Sequence, residues 1–120
     1  MNIFKTFFGK EKPKQKYIRQ YKIAGVTFNN EDGISRQKLI KEMHDGDLVK
    51  IEKYIYNNKL AIKIMNENNQ QIGNVSENDI NNLLNIYDKT NKTEIFNIGS
   101  FINEFGKKIY YAELIVHFIE

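Results

Sequence analysis

Cysteine and tryptophan are missing from this chain, proline occurs once and histidine twice. Without cysteine there is no disulfide and no thiolate metal cage, and two histidines alone do not make the common histidine-rich metal sites. No metal or other cofactor is therefore expected, and a reducing compartment, the cytoplasm, fits the composition. Long apolar runs are lacking too: none approaches the roughly 20 residues that span a bilayer. The start of the chain has no apolar core of about 7 to 15 residues of the kind that marks a secretion signal. The seven glycines form neither a GxGxxG turn nor a phosphate-cradling loop. No nucleophile, base and orienting group stand at a recognisable spacing, so the chain does not read as an enzyme.

What is present suffices for one self-supporting domain. At 120 residues, 41% apolar and 12% aromatic, the chain can bury a core without staples. Its charge is unevenly placed. Residues 1–22 carry seven cations against Glu11, a net of +6, which leaves 11 cations and 14 carboxylates in residues 23–120, a net of −3. A mildly acidic body cannot coat a long duplex through phosphate contacts, although a pocket for a few nucleotides remains open to it. Within the basic start, Ile3, Phe4, Phe7 and Phe8 share one helical face before the pattern dissolves into lysines around Pro13. Residues 1–16 thus read as a basic amphipathic leader, first as one whose phenylalanines rest on the domain and second as a helix suited to a membrane surface, a protein partner or another polyanion.

The body, residues 17–120, is organised around Asp47 to Val75, DLVKIEKYIYNNKLAIKIMNENNQQIGNV. Val49, Ile51 and Ile55, then Leu60, Ile62 and Ile64 after Asn57-Asn58-Lys59, give the period of 2 of an antiparallel hairpin, and Gln71 to Val75 is a third strand. A first strand is expected from Tyr17 to Phe28, with Gly25 marking a bulge or a close backbone approach. Ser35 caps a short helix over 36–43, and Ile34 with Leu39 forms a hydrophobic staple. Ser76 and Asp79 spell a capping box for a second helix over 77–87, whose buried face is Ile80, Leu83, Leu84 and Tyr87. A polar loop from Asp88 to Lys92 leads to strands at about 94–102 and 107–119. The last has two apolar faces and so belongs inside the sheet. His44, Asp45 and Asp47 read as a turn and His117 as a structural residue. This order predicts an α+β fold, a small six-stranded antiparallel β-barrel of the OB/SH3-like kind with two short helices, because closure hides exposed strand edges.

The series IAGVTF at 23–28, a short helix, Gly46-Asp47, then LVKIEK, NKLAIKI, QIGNV and a capped helix resembles the HIRAN domain. This is a small barrel found alone in bacteria and fused to replication-fork-remodelling translocases in eukaryotes, and the resemblance covers about residues 20–118. It implies a non-enzymatic module that binds single-stranded DNA at its 3′ end, in DNA repair or replication. It places a phosphate contact on Thr27, a base-stacking ring on Phe28, and a further contact on Asn74. The family's Asn-Pro-Tyr-Asp segment falls on Ile55-Tyr56-Asn57-Asn58. Here Asn57 stands at the ring position and Asn58 replaces the carboxylate that meets the terminal hydroxyl. Tyr54 and Tyr56 offer displaced stacking surfaces, and Lys59 offers a phosphate contact. Asn58 still accepts a hydrogen bond but without charge assistance, which implies a weaker preference for a free 3′ end.

The same departures, with the acidic body, suit a second reading: a protein-interaction or adaptor domain that retains the fold and has lost the DNA-end pocket. The two readings differ in what they require of the structure. A groove joining Phe28, Tyr54 and Lys59 favours nucleic acid, and a strongly electronegative pocket favours the adaptor.

Overall fold

The computed structural model of the protein describes residues 14–120, so the helical face expected of Ile3, Phe4, Phe7 and Phe8 lies outside the described residues. The elements run β1 (Lys16–Ala24), α1 (Arg36–Lys41), β2 (Lys50–Tyr56), β3 (Lys59–Met65), β4 (Gln71–Val75), α2 (Ile80–Leu84), β5 (Thr90–Ile102) and β6 (Lys108–Ile119). Single 3-10 turns, Glu77–Asp79 and Tyr87–Lys89, flank α2. All six strands join one antiparallel sheet in the order β2-β3-β4-β1-β6-β5. The fold is therefore α+β with two short helices, and no helix among the described residues is long and apolar enough to cross a membrane.

The core follows the apolar alternation along the strands. Ile62, Ile64, Ile72, Ile95, Leu114 and Val116 are fully enclosed, as are Ile40 of α1 and Leu83 of α2. Each such side chain contributes about 1.5–3 kcal/mol relative to exposure. As its two apolar faces predict, β6 is an interior strand, with Ile109 and Ile115 buried on one face and Ala112, Leu114, Val116 and Phe118 on the other. The β2–β3 hairpin pairs in the expected register, Tyr56 with Lys59, around Asn57 and Asn58 at φ of 50° and 63°. Two successive left-handed residues make the turn whose twist matches the strands, and asparagine tolerates that backbone better than most residues. The tip of this hairpin runs past the core, so Ile55 and Leu60, expected on its buried face, are exposed instead.

Three expectations change. The first strand stops at Ala24 rather than Phe28, because Gly25 turns the chain at φ +68° and breaks the alternation of side chains. The second helix is not continuous over 77–87. The Ser76 side chain makes no cap bond; its carbonyl instead accepts from the Asp79 N–H at 2.8 Å, closing a 3-10 turn, so the capping box is absent. Asn81, Asn82 and Asn85 favour a helix poorly, and what survives is five residues presenting Leu83, with Ile86 buried beyond its end. The loop expected over 88–92 is largely strand: β5 begins at Thr90 and carries a register shift between Thr90 and Lys92. Its polar sequence misleads because β5 is an edge strand.

The sheet does not close into a barrel. A single antiparallel bridge, Leu48 with Glu94, joins the residues before β2 to β5. Ile95 N donates to Asp47 O at 2.9 Å, Val49 N to Thr93 O at 3.1 Å, and the Thr93 hydroxyl to Val49 O at 2.5 Å. His44 to Asp47 forms the expected turn, with His44 N donating to Asp47 Oδ2 at 2.8 Å and Gly46 at φ +92°. His117 packs its Nε2 against the buried Glu94 carboxylate, as a structural residue does.

Candidate nucleic-acid groove

The early end of β1 builds the site. Past Gly25 the chain leaves the sheet, and a lobe of residues 25–35 returns to α1 through the Asn29–Ser35 bridge and the bond from Arg36 N to Phe28 O at 3.4 Å. Glycine suits position 25 because the backbone there is at φ +68°, a conformation that L side chains rarely adopt; a Cβ would also displace the tip of Asn74, whose Oδ1 would lie 2.7 Å away. Ser35 caps α1 as expected, its hydroxyl accepting from Lys38 N at 3.3 Å. That start places Arg36, the first helical residue, under the lobe. Its Nε donates to Asn30 Oδ1 at 2.8 Å and its Nη1 to Gly25 O at 2.9 Å. Burial holds the Arg36 guanidinium below its ordinary pKa, although an arginine remains charged at neutral pH. The guanidinium carbon sits 6.0 Å from the centre of the Phe28 ring, which is 64% exposed.

Opposite this lobe stands the outer half of the β2–β3 hairpin. Tyr54 and Tyr56 are two apart on one strand and therefore share a face, with ring centres 6.3 Å apart. Tyr54 pairs across the hairpin with the small Ala61, and Lys63 Nζ lies 5.5 Å from its ring centre. Between lobe and hairpin runs a groove of about 340 Å³ lined by Phe28, Arg36, Tyr54, Tyr56, Asn57, Lys59 and Asn74, floored by Ala61, Val75 and Ile80. Phe28, Arg36, Tyr54 and Tyr56 also line a wider adjoining hollow of about 870 Å³, whose lip carries Glu31 and Asp32. Lys59 Nζ lies 3.5 Å from Glu77 at the groove margin, a pair so exposed that it contributes little.

Six of the residues singled out in the sequence thus come together: Phe28, Tyr54, Tyr56, Asn57, Lys59 and Asn74. Thr27 and Asn58 do not. Thr27 lines a separate cleft with Lys38 and Lys108, because the chain turns between it and Phe28. Asn58 serves the hairpin turn and is absent from the groove lining. The residue that sequence reasoning passes over is Arg36. A signal was present: it is one of two arginines beside 16 lysines, placed directly after a capping serine. Compared with known proteins, the chain matches no family model, no curated protein and no solved structure.

Proposed function

We propose that the groove holds the end of a single strand of nucleic acid, and that the protein is a binding module rather than an enzyme, acting in the cytoplasm. The observation that carries this reading is the meeting of three partly or largely exposed rings, Phe28, Tyr54 and Tyr56, with the cations Arg36 and Lys59 in one groove. Rings receive bases of any sequence and cations receive the phosphates between them. The HIRAN resemblance adds the 3′ polarity, a role in DNA repair or replication, and a reading of the sheet as a barrel whose seam is the Leu48–Glu94 bridge. Stacking contributes about 1–3 kcal/mol per base, so Phe28→Ala is expected to weaken binding roughly 5- to 150-fold.

The test is fluorescence anisotropy with single-stranded oligonucleotides whose 3′ ends are free or blocked. Tighter binding of the free end, lost in Phe28→Ala with an unchanged melting temperature, supports the reading. Absence of binding at low salt, or affinity indifferent to Phe28→Ala, rejects it. The adaptor reading then takes its place, and Glu31, Asp32 and Glu77 around the groove are the observation that favours it.

A further inference from the structure

Four lysines on the far side of Phe28 form a second cleft, of about 280 Å³, whose walls are the α1 residues Lys38 and Lys41 and the β6 approach Lys107 and Lys108. No carboxylate lines it. Among the described residues none of these four ammonium groups has a carboxylate within 4 Å, whereas Lys59, Lys63, Lys89 and Lys92 each do. Lys41 and Lys108 both turn toward the Tyr110 ring, at 5.9 and 5.5 Å from its centre. The scaffold beneath is rigid. The Gln37 side chain accepts from Tyr110 N at 2.7 Å and donates to Tyr110 O at 2.8 Å and to Val26 O at 2.9 Å, pinning α1 to β6.

Four cations that no described carboxylate pairs, on a body whose residues 23–120 sum to −3, repel one another, an arrangement that an anion relieves. The cleft meets the groove through the wider hollow between them, at whose margin Glu31 and Asp32 also stand. Asn29 lines both the cleft and the hollow beside Phe28, and Thr27 and Phe28, neighbours in the chain, face one each. We infer that the groove is the terminus of a longer track, in which Lys38, Lys41, Lys107 and Lys108 hold the backbone phosphates of the nucleotides leading to the bound end. This rests on the single-strand reading above and adds to it a minimum ligand length and a source for its salt dependence. Small nucleic-acid-binding barrels engage about 4–16 nucleotides, and strand length is therefore the variable that separates the groove alone from the longer track.

The experiment titrates the full chain with labelled oligothymidylates of about 4 and about 12 nucleotides over a range of salt, spanning the known site sizes. It compares wild type with the double variants Lys107→Ala/Lys108→Ala and Lys38→Ala/Lys41→Ala, whose melting temperatures verify folding. For the longer strand, each double variant is expected to flatten the slope of log affinity against log salt by about 1.4, at about 0.7 per lost phosphate contact. The shorter strand keeps its slope. An unchanged slope for the longer strand in both variants overturns the track. So does equal flattening for both lengths, or displacement of the longer strand by polyglutamate at matched charge. If the shorter strand still binds, the groove reading survives that result; if neither length binds, both fall.

Discussion

Arg36 shows how much one side chain carries. Its fork joins Asn30 to Gly25 and so ties the lobe that presents Phe28 to the first turn of α1. Lysine has the charge but a single donor atom, and cannot span both acceptors. Arg36→Lys is therefore expected to lower thermal stability by about 1.5–3 kcal/mol, the range for hydrogen bonds to a charged group, and to weaken oligonucleotide binding in the same titration. A variant that melts and binds like wild type refutes the tie. Gly73 bears on the core instead. A Cβ there would lie 2.4 Å from Ile23 Cγ2 and 2.6 Å from the Ala24 carbonyl oxygen, where β4 meets β1. Backbone does not yield as a side-chain tip does, so Gly73→Ala should destabilise by about 3 kcal/mol, the upper end for overpacking, in chemical denaturation.

At the scale of elements, the two serine caps make a matched pair, since the same sequence signal has two outcomes. The Ser35 hydroxyl bonds the N–H of Lys38, whereas the Ser76 hydroxyl bonds nothing in its turn. Ser35→Ala is expected to cost about 1 kcal/mol and Ser76→Ala next to nothing; melting of the two variants side by side checks this. The hairpin, β4 and β6 were legible in the sequence because alternation and turn residues report directly on backbone and burial. The fracture of the second helix was not, since a capping signal states only that a helix starts and says little about three asparagines weakening it. The family resemblance singled out Phe28 and the tyrosines, which line one groove in the structure, but it did not show that Gly25 sends Thr27 and Phe28 to different clefts. Gln37 was invisible for another reason. Where β1 ends, Tyr110 loses its strand neighbour, and the Gln37 amide fills that place with a donor and an acceptor of its own. No linear pattern marks a side chain that substitutes for a strand.

For the whole molecule, charge placement decides two outcomes. Among the described residues, pairing begins where Gln15 and Glu120 exchange backbone bonds at 3.0 Å. Removing residues 1–14 is expected to leave the melting temperature unchanged while reducing salt-dependent attachment to polyanions; a large fall in melting temperature would instead assign Phe4, Phe7 and Phe8 to the core. The second outcome concerns acid. Hydrogen bonds from Asn97 and then Gln20 hold the Glu113 carboxyl below its ordinary value of 4.5. A depressed carboxyl stabilises the fold above its ordinary value and loses that contribution as the pH falls through the lower folded value. Glu113→Gln should accordingly narrow the gap between melting temperatures measured at pH 6 and near pH 3. The bridge between Leu48 and Glu94 has a consequence of a different kind. Because so few bonds span that seam, the amide protons of Val49 and Ile95 should exchange with heavy water through a local parting of the sheet, while those between β1 and β6 wait for global unfolding. On that expectation the sheet parts first where the residues before β2 meet β5, and the core beneath stays intact.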